Sequence, residues 1–158
     1  MHLHLGYRRN LTRMPNKSLN TYFLSLGSNL GEREHTLRQA LCLIEQQIGP
    51  VRCCSSFYYS EPWGFESVHA FCNLCCAVDS PKAPIEMLQA TQAIEQALGR
   101  THKSLDGHYS DRTIDIDLIQ AFDEQGQEIE VHTQELTLPH PLWLQRDFVR
   151  IPLEEIKK

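Results

Sequence analysis

The chain lacks any apolar run approaching the roughly 18 residues that a membrane-spanning helix needs, so no membrane role is expected. It has no Gly-Lys-Ser/Thr phosphate-loop signature and no Gly-x-Gly-x-x-Gly, which disfavours a P-loop enzyme and a dinucleotide-binding fold. Positive charge is scarce: 15 Lys plus Arg face 20 Asp plus Glu, a formal net charge of −5. Four of those cations, Arg8, Arg9, Arg13 and Lys17, fall in the first twenty residues, which carry no acid. Residues 21–158 therefore hold 11 basic against 20 acidic side chains, a net of −9. So acidic a body is a poor match for the phosphate-neutralising surface of a nucleic-acid binder. No internal repeat, low-complexity tract or second-domain linker is visible. The opening residues also lack the continuous apolar stretch and small-residue cleavage site of a secretory signal.

What is present reads as an ordinary soluble globular protein. The 158 residues are 41% apolar and 22% charged, enough for one domain with a real core. Residues 1–20 are expected to be a disordered extension and residues 21–158 a single cytoplasmic domain. The six cysteines fit that compartment as reduced thiols. The Cys72-x-x-Cys75 spacing raises zinc or redox chemistry. On a strand, however, Cys72 and Cys75 point to opposite faces and cannot hold one ion together. Small buried hydrophobes is the preferred reading for these residues.

Periodicity sets out the elements. Thr21–Leu26 is a β-branched, aromatic and aliphatic run that stops at Gly27-Ser28-Asn29-Leu30-Gly31, a strand entering a turn. Leu37, Leu41, Ile44 and Ile48 recur at helical spacing before Gly49-Pro50. Val51–Tyr59 and Ala70–Val78 read as two strands. A second helix follows Ser80-Pro81-Lys82-Ala83-Pro84, with Met87, Ala90, Ile94 and Leu98 as its stripe and Gly99 as its stop. Gln92 and Glu95 lie beside that stripe, three residues apart and so neighbours on the helix surface. The next strand is Thr113–Ile119, with a hairpin turn at Gly126. The order strand, helix, strand, strand, helix, strand predicts an α+β, ferredoxin-like antiparallel sheet carrying a single layer of helices, with extra strands after it.

The segment richest in chemistry is Arg112-Thr113-Ile114-Asp115-Ile116-Asp117-Leu118. Alternation sends Ile114, Ile116 and Leu118 to one face and Asp115 and Asp117 to the other, their Cα atoms roughly 7 Å apart. Aspartate is depleted in strands, so a pair of them needs a reason. Either this is a solvated sheet face, or the carboxylates hold magnesium, a hard ion that shares its shell with substrate phosphates. Arg100, His102, Lys103, His108 and Arg112 form a basic cluster just before the pair. They either neutralise it internally or stabilise a transferring polyphosphate. Gly27-Ser28-Asn29, between strand and helix, is either a turn with an N-cap or an anion site.

Leu26–Gly31, Ser55-Ser56-Phe57-Tyr58, Phe71-Cys72-Asn73, Arg112-x-x-Asp115-x-Asp117 and Leu138-Pro139-His140-Pro141 together resemble the 6-hydroxymethyl-7,8-dihydropterin pyrophosphokinases, over about residues 21–156. The resemblance implies a ferredoxin-like fold and transfer of pyrophosphate from ATP to the pterin hydroxymethyl group, releasing AMP, in folate biosynthesis. It implies that Asp115 and Asp117 bind two Mg2+ ions with ATP, and that Arg100 and Arg112 contact the phosphates. Gln92, Glu95, Thr137, His140 and Arg146 are implied at the ATP site. Phe71 and Phe148 would sandwich the pterin, Asn73 would read its amide edge, and Ser60 and Trp63 would line the loop beside it. Loops around Trp63 and Lys103 would close over the site. The chain differs from common family residues at His102, Ser110, Asp111, Glu135 and Pro141. Its partners are expected to be these two small molecules, with no nucleic acid and no membrane, in a monomer or weak dimer. A non-catalytic ferredoxin-like binding module is the alternative, and it leaves Asp115, Asp117, Phe71, Asn73 and Phe148 unrelated to one another.

Overall fold

The computed structural model describes residues 18–60, 70–99 and 113–157. Strand β1 (Asn20–Ser28) sits at the centre of a five-stranded antiparallel sheet, with Tyr22, Leu24 and Leu26 fully buried on one face. It pairs along its whole length with β4 (Phe71–Ser80) on one side and with β5 (Asp115–Phe122) on the other. β2 (Val51–Cys54) and β3 (Tyr58–Ser60) both add to the far edge of β4. With β2 and β3 taken as one interrupted strand, this is the ferredoxin-like arrangement that the element order predicts.

The sequence predicts an unbroken strand over Val51–Tyr59, and the structure breaks it at Ser55–Phe57. The Ser55 N–H donates to the Cys75 carbonyl at 2.8 Å, and its Oγ accepts the Cys75 N–H at 3.0 Å. The Ser56 N–H and hydroxyl both donate to the Glu155 carboxylate at 2.8–3.0 Å. Side-chain acceptors take over from the ladder there, as short polar residues can.

Helices α1 (Arg33–Gln47) and α2 (Pro84–Ala97) cover the apolar face of the sheet. α1 begins four residues beyond Asn29, with Glu32 at its N-cap, and Ser28 is the last residue of β1. Neither Ser28 nor Asn29 therefore caps this helix. Gly49, just past the end of α1, lets the chain touch β4: a Cβ there would stand 2.0 Å from the Asp79 carbonyl oxygen. In α2, Pro84 fills the first turn and the Glu86 carboxylate accepts the Ala83 N–H at 2.9 Å. Its buried stripe is Met87, Thr91, Ile94 and Glu95, one residue round from the predicted one at Thr91 in place of Ala90. The Thr91 hydroxyl donates to the Leu88 carbonyl, so burying it leaves the donor satisfied.

A third helix, α3 (Asp147–Ile156), is absent from the sequence reading and corrects the single helix layer. It crosses the opposite face of the sheet, where Val149 and Leu153 pack on Cys75 and Ile119. Burying two such side chains stabilises its docking by about 3–6 kcal/mol before entropy is counted. Cys72 and Cys76 belong to the α1/α2 core and Cys75 to the α3 core, on opposite faces as alternation requires. Burial pushes the Cys75 thiol up to about 12. Cys42, Cys53 and Cys54 are exposed, so the buried-hydrophobe reading applies to three of the six. After β5, a turn with Gly126 at φ +82° leads to the short ribbon β6 (Val131–His132) and β7 (Thr137–Leu138). No helix among the described residues is long and apolar enough to cross a membrane.

Candidate functional site

At one end of the sheet face on which α3 packs, β1 finishes and β4 and β5 begin. Register decides what meets there. Gly27 of β1 lies directly between Asn73 of β4 and Asp115 of β5, and Ser25 lies between Cys75 and Asp117. Asn73 and Asp115 are thus two strand spacings apart, roughly 10 Å, on the same face with glycine as the floor between them. A Cβ on Gly27 would come within 2.9 Å of the Asn73 Oδ1 and 3.6 Å of the Phe71 ring. Sequence reasoning gives Gly27 a turn or anion-binding role. The structure instead makes it a strand residue whose missing side chain lets the Asn73 Oδ1 and the Phe71 ring come close, so that these two groups border the slot between Asn73 and Asp115; close approach is a meaning that glycine inside a strand pattern can carry.

One wall of the slot is held firmly. The Asn73 amide nitrogen donates to the Ser60 hydroxyl at 2.8 Å and to the Tyr58 carbonyl at 3.1 Å. Both amide hydrogens are thereby engaged by protein acceptors, which fixes the amide orientation and turns Oδ1 toward the slot as an acceptor for a ligand N–H. Asn73 itself is buried, and Phe71, paired with Ser60, is half-buried at its edge. Phe148 comes from the first turn of α3 and packs against the Cys75 cluster, with the Arg146 guanidinium 5.9 Å from its ring centroid.

On the opposite wall, Asp115 and Asp117 are half-buried while Ile114, Ile116 and Leu118 are core, as alternation predicts. His140 is tied to the same strand through its N–H, which donates to the Ile119 carbonyl at 2.8 Å. Its ring Nδ1 accepts the Leu142 N–H at 3.1 Å, leaving Nε2 as the donor of the neutral ring. Burial, and then the nearby Arg146 charge, push the His140 pKa below its ordinary value, against an opposing pull from Asp115. Asp115, His140 and Arg146 are therefore electrostatic neighbours.

Glu95 is buried, and its carboxylate accepts the Ile116 N–H at 2.7 Å, beneath the aspartate pair. Gln92 is half-buried one turn earlier on α2. Thr137 is exposed on β7. Trp63, Arg100 and Arg112 lie outside the described residues, as do His102, Ser110, Asp111 and the loops around Trp63 and Lys103. Glu135 and Pro141 are exposed.

The donor set suits a hard cation. Two carboxylates project from one strand face, and among the described residues no cluster of three or more His, Cys, Asp or Glu completes a metal cage. Mg2+ is commonly bound in this way, through one or two carboxylates with substrate phosphates and water filling the remaining positions.

The family model for 7,8-dihydro-6-hydroxymethylpterin-pyrophosphokinase (HPPK) matches residues 23–158. A Porphyromonas gingivalis protein, 2-amino-4-hydroxy-6-hydroxymethyldihydropteridine pyrophosphokinase, is 48% identical over 134 residues, 85% of this chain and 88% of that one. A Bacillus subtilis protein of the same description is 37% identical over 138 residues, 87% and 78% of the two chains. A solved HPPK-DHPS chain from Plasmodium falciparum superposes with a TM-score of 0.63 at 16% identity, covering 91% of this chain. This chain spans 42% of that longer one, and the likeness bears on the fold alone.

Proposed function

The chain belongs to the 7,8-dihydro-6-hydroxymethylpterin-pyrophosphokinase family, ATP-using transferases of folate biosynthesis, and we propose that this end of its sheet holds the pterin beside a magnesium-bound ATP. The observation that carries this reading is the register at Gly27, which puts Asn73 and Asp115 on the two sides of one glycine floor.

Phe71 and Phe148 stack on the two faces of the flat heterocycle, and Asn73 Oδ1 accepts an N–H from its amide edge. Ser60 orients Asn73 and contributes to the slot beside Trp63. Asp115 and Asp117 would hold two Mg2+ ions, which would supply charge neutralisation for the ATP phosphates. Arg100 and Arg112 contact the same phosphates. Gln92, Glu95, Thr137, His140 and Arg146 form the nucleotide side, with the neutral His140 ring as a hydrogen-bond donor. The pterin hydroxyl oxygen attacks the β-phosphorus in line. One O–P bond forms, the bridge between the α- and β-phosphates breaks, AMP leaves with the bridging oxygen, and the hydroxyl proton is released to water. The residues act by positioning and by electrostatics, with no covalent enzyme intermediate.

Residues 21–158 act as one domain, with residues 1–20 outside its catalytic work, in a cytoplasmic monomer or weak dimer. The test is product analysis after incubation with Mg-ATP and 6-hydroxymethyl-7,8-dihydropterin. AMP formed only when pterin is present supports the reading, whereas ADP, or no turnover, overturns it.

A further inference from the structure

We propose that Glu95 is a positioning residue that sets the spacing and orientation of Asp115 and Asp117; this rests on the metal-binding reading above and deepens it. β5 is the last strand of the sheet, and over Asp115–Leu118 no strand among the described residues pairs with its outer edge. In an antiparallel ladder, alternate N–H groups point to the two sides. That of Ile116, which lies opposite Leu26, points outward, so the peptides of the two flanking aspartates turn toward β1. An outward N–H at a buried strand edge costs free energy unless it finds an acceptor.

Glu95 supplies that acceptor. Its carboxylate comes from the buried face of α2, 21 residues earlier in the chain, and meets the Ile116 nitrogen at 2.7 Å inside the protein. It stands where a neighbouring strand would have put a carbonyl. A charged acceptor makes this a short, strong bond, placed on the one residue that separates the two aspartates. β5 can then present both carboxylates at a fixed separation although no strand among the described residues pairs with its outer side at this point. Groups that orient metal ligands typically change metal affinity by ten- to hundredfold when removed.

The test measures Mn2+ binding in the presence of α,β-methylene-ATP, which resists the transfer step, together with amide exchange at Ile116. Glu95→Ala should weaken Mn2+ binding by at least about tenfold and speed exchange at Ile116. Glu95→Gln keeps an acceptor oxygen and should bring Mn2+ binding back to within a few fold of the parent. Unchanged Mn2+ affinity in Glu95→Ala overturns the proposal, and so does a Gln variant as impaired as the Ala variant, since charge rather than the bond would then be what matters. Should the Ala variant fail to fold, Glu95→Asp, charged but one methylene too short, decides in the same way: weakened binding supports the proposal and unchanged binding overturns it. Asp115→Asn and Asp117→Asn in the same titration separate the two readings. If they bind Mn2+ normally, the metal assignment itself falls, and with it the role of Glu95.

Discussion

The two faces of the sheet are made from alternate residues of the same three strands, β1, β4 and β5, yet they are finished differently. On one, Leu24, Leu26, Leu74, Ile116 and Leu118 are sealed under α1 and α2 in a single continuous core. On the other, Val149 and Leu153 of α3 meet Cys75 and Ile119, and the same face carries Gly27 and Asn73, both buried, and the half-buried Asp115 and Asp117 toward one end. In the function proposed above, a strand residue is structural or functional according to its parity and its place along the strand. Stability and chemistry are therefore separable by one step along the chain.

Substitutions can break that separation or sharpen it. The largest effect is expected at the aspartate pair: Asp115→Ala or Asp117→Ala should lower the rate of pterin-dependent AMP formation by on the order of a thousandfold. Their melting temperatures should stay near the parent's, because each is only half-buried. Leu24→Ala, on the sealed face and fully buried, should cost about 2–5 kcal/mol in a denaturant melt while leaving kcat per folded molecule unchanged. Gly27→Ala falls between the two classes. Its Cβ would push Asn73 and Phe71 aside, an overpacking of about 1–3 kcal/mol that should raise the KM for pterin by on the order of tenfold or more and spare ATP binding.

The smallest effect concerns protons. Because the folded His140 pKa lies below its ordinary value, the unfolded chain takes up a proton first as pH falls below about 6.5. Stability should decline from there down to the folded-state value and level off below it. His140→Gln should remove that segment of the pH profile without altering stability at pH 8. A parallel profile in the variant would show that the ring does not titrate as its burial implies.

What was legible in the sequence was what depends on near neighbours. Alternation in Ile114–Leu118 gave the face of each aspartate, and the helical stripes gave α1 and most of α2. α3 was hidden because it is only ten residues long and carries Pro152 inside it. The surviving signals were the i, i+4 pair Val149 and Leu153 and the acidic Asp147 in its first turn. The break after Cys54 was illegible because its causes are distant: Ser56 is held by Glu155, 99 residues away. The family resemblance implies Glu95 at the ATP site, and no local pattern can reveal that its carboxylate accepts a backbone N–H. Gly27 looked like punctuation because a slot exists only once strands from three parts of the chain lie side by side.

The central place of β1 has a consequence for how the molecule comes together. Its first residues bond to partners such as Asp79, 58 residues on, and to Phe122 at the far end of β5, so the earliest strand waits for the latest. Each pairing closes a long loop before any contact rewards it, the topology associated with slow folding. The ring of Phe148 arrives later still, on the last helix. An emerging chain would thus carry Gly27 long before the remaining walls of the slot exist, and competence to bind should appear late and all at once.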